Sequence, residues 1–184
     1  MRKALTLFVT VAMLLVSGCS NNTGSSADNP FIAENAIKGQ VGDLYYVVPE
    51  NAVFDESSTD EDNVYRVSIA NSTEEYVLNI SYSYVDEEAY ESSVHLMEIT
   101  REAAASASEE NAADGASYKD ENITEFLGKS VDYGFKSTSK GNGQTMVAVL
   151  VITSNTAYGI RYTVKSGFYD QAVWDNFYAQ LKFV

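Results

Sequence analysis

The chain has 184 residues, 45% hydrophobic and 21% charged, enough apolar side chain for one sizeable core. Its 26 acidic residues outnumber 12 basic ones, for a formal charge of −14 at pH 7. Such a surface repels nucleic acid and anionic lipid headgroups, and leaves cations, basic proteins and neutral ligands as partners.

Met1, Arg2 and Lys3 precede an apolar run from Ala4 to Val16, broken only by Thr6 and Thr10. A short positive region followed by about 7 to 15 apolar residues is the pattern of a secretory signal peptide. A membrane-spanning helix needs roughly 20, more than this run supplies. The run ends in Leu15, Val16, Ser17, Gly18 and Cys19, which resembles the bacterial lipobox. The resemblance implies that the thiol of Cys19 takes a diacylglycerol group and that cleavage falls between Gly18 and Cys19.

Cys19 is the only cysteine, so no disulfide can form within one chain. Cleavage would leave 166 residues and, by loss of Arg2 and Lys3, take the charge from −14 to −16. The anchor is then the lipid on Cys19, whose two acyl chains meet the two-signal requirement for stable attachment. Residues 1–18 are therefore expected to be signal peptide and 19–40 a lipidated, flexible tether, for "SNNTGSSADNP" has little to bury.

Residues 41–184 are expected to form one domain. "VGDLYYVV", 41–48, reads as its first strand, stopped by Pro49. "PENAVFDESSTDEDN" reads as a long acidic loop. "VYRVSIA" and "EYVLNISYSY" read as a hairpin, the second alternating Tyr76, Leu78, Ile80, Tyr82 and Tyr84 with smaller residues.

From Asp86 to Glu110 the spacing predicts a long helix. Asp86 is its cap, Glu87 and Glu88 favour its first turn, and Tyr90, Val94, Leu96, Met97, Ile99 and Ala103 form its stripe. Strands are expected again over 118–127, 129–138, 145–153 and 158–165. "TMVAVLVIT" is apolar throughout, as for a strand covered on both faces. Val173, Phe177 and Leu181, with Trp174 and Tyr178, predict a closing helix. The expected fold is α+β: a mainly antiparallel sheet of six or seven strands, sandwiched by the middle helix and the C-terminal helix.

Catalytic constellations are poorly supplied. His95 is the only histidine, and with one lipidated cysteine it assembles neither a nucleophilic triad nor a zinc site. Ser137 to Lys140, "STSK", has S-x-x-K spacing but lacks the companion S-D-N and K-T-G motifs. Asp55, Glu56, Asp60, Glu61 and Asp62 offer carboxylates to calcium without the spacing or central glycine of an EF-hand, so a solvated acidic loop is the simpler reading. Outward tyrosines, Tyr45 and Tyr46 among the candidates, offer stacking platforms for a glycan.

"GDLYYVVPEN" near the start and "AYGIRYTVKSGFYDQAVWDNFYAQLKF" at the end, with the elements between them, resemble the PsbP-like domain in its Mog and DcrB types. A tryptophan often found after the family's proline is replaced here by Ala52, Val53 and Phe54. The resemblance implies an accessory binding or assembly module without a catalytic centre, and it transfers no functional residues. The expectation is a non-enzymatic, extracytoplasmic lipoprotein without cofactor or resident metal, held to the membrane through Cys19 and serving an envelope protein partner. The alternative is a receptor for a small ligand, a glycan or calcium.

Overall fold

A computed structural model describes residues 36–49, 52–59, 64–70 and 75–184. Alternating apolar residues set the central strands. In β5 (Tyr76–Tyr84), Tyr76, Leu78 and Ile80 are buried, while Val77, Asn79 and Ser81 on the other face are half-buried. The preceding strands are β1 (Ile37–Val41), β2 (Leu44–Val48), β3 (Val53–Thr59) and β4 (Val64–Ala70). After β5 come the helix α1 (Glu87–Glu110), β6 (Ser117–Asn122), and the two-residue strands β7 (Glu125–Phe126) and β8 (Lys129–Ser130). The chain ends with β9 (Tyr133–Gly141), β10 (Gln144–Thr153), β11 (Thr156–Lys165), the helix α2 (Gln171–Tyr178) and β12 (Lys182–Phe183).

Seven strands pair in the order β3-β4-β5-β11-β10-β9-β6, each antiparallel to its neighbours. A second sheet, β1-β2-β12, joins the domain's first strands to its last. The fold is thus α+β, with a seven-stranded antiparallel sheet, a long middle helix and a C-terminal helix.

Two cores lie on opposite faces of the large sheet. On one, Val147, Val149 and Val151 of β10 and Ile160, Tyr162 and Val164 of β11 meet the small sheet's Leu44, Tyr46 and Val48 and the Trp174 and Phe177 of α2. Trp174 stacks on Tyr162 and Tyr178 with centroids at 6.2 and 5.6 Å. On the other face, Leu150 and Ile152 of β10 pack with Phe135, Val85, Ala157 and the fully buried Met97 of α1. The double cover expected for "TMVAVLVIT" is present, because its alternate residues belong to different cores.

α1 begins as its sequence dictates, with the Asp86 carboxylate accepting from Ala89 N at 2.8 Å. It lies over β6 and β9, on one side of the sheet. Arg101 fixes it there: its Nε and Nη2 donate to Asp120 at 2.5 and 2.8 Å and its Nη1 to Asn122 at 2.8 Å. The apolar stripe is narrower than the spacing predicts. Ser93 and Met97 point inward, whereas Ile99 is 46% exposed.

Several boundaries differ from expectation. The strand read over 41–48 is a hairpin of β1 and β2, turned by Gly42 at φ +59°, and it begins at Ile37, inside the expected tether. The long loop contains β3, an edge strand whose pairing is made by backbone and therefore tolerates acidic side chains. The strand over 118–127 stops at Asn122. Leu127 and Gly128, both at positive φ, turn β7 into β8. The last helix ends at Tyr178, because Lys182 and Phe183 pair with Tyr45 and Leu44.

Candidate functional site: a basic basin in an acidic chain

Antiparallel register brings two distant arginines together. Arg66 on β4 aligns with Ser81 on β5 and Gly159 on β11. One step along the strands, Ser68, Asn79 and Arg161 form the next row. Residues two apart share a face, so the five side chains point to the face that carries α1, with Gly159 among them. That helix sits over β6 and β9, leaving these residues on the other half of the face. They are half-buried, where a covered sheet face would normally present aliphatic side chains.

The floor between the arginines is small and polar. Ser68 Oγ donates to Asn79 Oδ1 at 3.0 Å, and Ser81 Oγ to the Gly159 carbonyl at 3.3 Å. A methyl at Gly159 would stand 2.6 Å from Ser81 Oγ and 3.2 Å from a Leu150 methyl, so the glycine lets these side chains pack closely over the strand. Burial, and then the positive charge of Arg66, hold the Arg161 guanidinium below its ordinary range. Arg66 has no ion pair with a described carboxylate. By register the nearest is Asp55, opposite Ser68 on the edge strand and exposed.

The opposite face carries an aromatic file. Tyr65, Tyr82 and Tyr158 align across β4, β5 and β11, with centroids at 5.5 and 6.0 Å. Tyr158 continues to Phe126 and Phe183 at 5.7 and 5.3 Å. Its hydroxyl donates to Asp43 Oδ1 at 2.6 Å, while Lys129 Nζ reaches Asp43 Oδ2 at 3.1 Å and lies 3.5 Å from the Phe183 centroid. Burial raises the Asp43 carboxyl, but the hydrogen bonds from Tyr158 and Lys129 outweigh it and leave a net lowering.

Of the residues singled out in the sequence, Gly18, Cys19, Asp60, Glu61 and Asp62 lie outside the described residues. Asp55 and Glu56 are in β3, not in a loop. His95 is exposed on α1. Ser137 to Lys140 lies wholly within β9, and Ser137 is buried there. Tyr46 is 3% exposed with its ring against Gly39, and Tyr45 is half-buried beneath Lys182 Nζ at 4.7 Å, so neither is an open platform. The outward tyrosines are Tyr65 and Tyr84, 40% and 53% exposed. Among the described residues, no group of three or more metal-ligating side chains converges and no helix is long and apolar enough to cross a membrane.

Arg66 and Arg161 were not among the sequence candidates. Their signal is polar alternation: β5 interleaves its core residues with Asn79, Ser81 and Ser83, and β11 does so with Gly159 and Arg161.

No family model and no curated protein matches the chain. Among solved structures, the chain is similar to cyanobacterial PsbP (CyanoP) from Synechocystis sp. PCC 6803, with TM-score 0.55 and 9% identity, covering 89% of this chain and 98% of that one. A Bacteroides thetaiotaomicron protein matches at TM-score 0.37 and 14% identity over 77% of this chain and 45% of its own. The first of these likenesses shows a PsbP-like fold.

Proposed function

We propose that this chain is an extracytoplasmic lipoprotein, anchored through a diacylglycerol thioether on Cys19, whose single PsbP-like domain is a non-catalytic binding or assembly module. The observation that carries the reading is the position of the sole cysteine. Cys19 follows a signal-like apolar run and Ser17-Gly18, and a Ser, Asn and Gly-rich stretch separates it from the first strand at Ile37. A lone thiol there has a use as a lipid acceptor and no partner for a disulfide within the chain.

Two features of the domain support recognition as its task. The sheet face around Arg66, Asn79 and Arg161 is polar and half-buried, a surface on which a partner can be met by hydrogen bonds. Tyr65 and Tyr84 also leave aromatic surface outward on the opposite face, as a contact site for a partner would. The envelope is the compartment that the signal and anchor imply, and the partner is an envelope protein.

Metabolic labelling with a fatty acid, followed by purification from detergent-solubilised membranes, tests both halves. The native protein is expected to carry the label and to copurify with a stoichiometric partner. The Cys19→Ala variant is expected to lose the label and the membrane fraction. Label retained on that variant would remove the anchor, and purification of the native protein alone would remove the accessory role.

A further inference from the structure

We propose that the face of the large sheet carrying α1 is the contact surface between two copies of this chain, each laying its α1 on the half-sheet that the other leaves uncovered. The inference goes beyond the lipoprotein reading and does not depend on the anchor. Three observations lead to it.

First, the cover stops partway across the sheet. Leu150 and Ile152 of β10 are buried in the core under α1, whereas Met146 and Gln144, further along the same face, are half-buried. β11 changes in the same direction, from buried Ala157 to half-buried Thr163 and Lys165. Among the described residues, α1 rests on β6 and β9. A helix about 10 Å across therefore makes a step, high over one half of the face and low over β4, β5 and β11.

Second, the flank of α1 that borders the low half is apolar and small. Arg101 marks the other flank, since it bonds to Asp120 and Asn122 of the edge strand β6. At about 100° per residue, Leu96, Ile99 and Ala103 fall on the side turned away from Arg101, and Ala107 continues the row. Spacing by three and four residues is that of a seam between helices, and alanine permits close approach. Ile99 is 46% exposed there.

Third, the two halves of the face are opposite in charge. Arg66 and Lys165 stand on the low half, and neither forms an ion pair with a described residue. The acids of that half, Asp55 and Glu75, lie at its margins. The outward side of α1 carries Glu88 and Glu102.

A two-fold axis parallel to α1 turns the step into its own complement. The two helices then lie side by side through Leu96, Ile99 and Ala103, with the glutamates of each directed at the Arg66 and Lys165 half of the other. One chain carries both sides of the contact, as an isologous interface requires.

Sedimentation equilibrium of the full chain in density-matched non-ionic detergent tests this. A reversible dimer is expected. Ile99→Asp on the helix and Arg66→Glu on the sheet should each raise its dissociation constant about tenfold or more, with an unchanged circular dichroism spectrum. Glu98→Ala, on the Arg101 flank, should dimerise as the native chain does. Mild oxidation of membranes should link two chains through Ile99→Cys and not through Glu98→Cys, which provides a readout even if Ile99→Asp does not fold. The native chain, with Cys19 alone, is the blank. A monomeric native chain, a dimer indifferent to Ile99→Asp, equal linkage by both cysteines, or capture of a different protein by Ile99→Cys would each overturn the proposal. A monomer that still takes the fatty-acid label would leave the lipoprotein reading standing.

Discussion

Tyr158, in the centre of the large sheet, donates its hydroxyl to the Asp43 carboxylate in the β1-β2 turn at 2.6 Å. The bond ties the small sheet to the large one, and Lys129 closes it from the other side. Tyr158→Phe keeps the ring in its file and deletes the donor. The expected cost is roughly 1 to 2 kcal/mol, discounted because Asp43 and Lys129 remain partly in water. A urea midpoint equal to that of the native chain would show that the bond does not hold the two sheets together.

Acid should loosen the same joint and the helix. Asp120 is held below the ordinary aspartate value of 3.8 chiefly by its hydrogen bonds from Arg101, and Asp43 is lowered as well. A carboxylate with a depressed folded pKa contributes stability above its unfolded value and loses it as pH falls through the folded one. Stability is therefore expected to decline below about pH 4. Asp120→Asn should make that decline shallower in urea titrations, and an unchanged slope would contradict the assignment.

At the alkaline end the sign reverses. Burial pushes the phenols of Tyr76 and Tyr118 up to about 12. Their neutral forms contribute stability fully below the unfolded value of 10.0, and this is lost as pH rises through the folded value. Ultraviolet difference absorbance should show tyrosine ionisation that is completed only near pH 12, with unfolding. A single transition near 10 for all thirteen would contradict the burial of these two phenols.

Trp174 is 1% exposed and stacks between Tyr162 and Tyr178. Trp174→Ala is expected to cost about 3 to 5 kcal/mol, by lost burial and a residual cavity. Chemical denaturation followed by far-ultraviolet circular dichroism measures it. A cost under about 1 kcal/mol would mean that α2 is not anchored in this core.

Periodicity made the central elements legible. β5, β10, β11 and α1 declare themselves within single windows, because each buries a regular set of its own side chains. β3 was hidden because an edge strand needs backbone partners more than apolar side chains, and "FDESST" supplies few of the latter. The C-terminus misleads for the opposite reason. Leu181 continues the helical spacing of Val173 and Phe177, but pairing with β2 and the 3.0 Å bond from Val184 N to the Asp43 carbonyl make the end a strand. The basin was illegible as a site, since Arg66 and Arg161 meet only after β4, β5 and β11 have paired.

Crosslinking in intact cells, with mass spectrometry of the adducts, tests the central claim most directly when the native chain is compared with Cys19→Ala. The account predicts a reproducible stoichiometric envelope protein crosslinked to the native chain and reduced or lost without the anchor. A native protein that is well expressed and labelled yet crosslinks to nothing, or that keeps the same partner without its anchor, would contradict it.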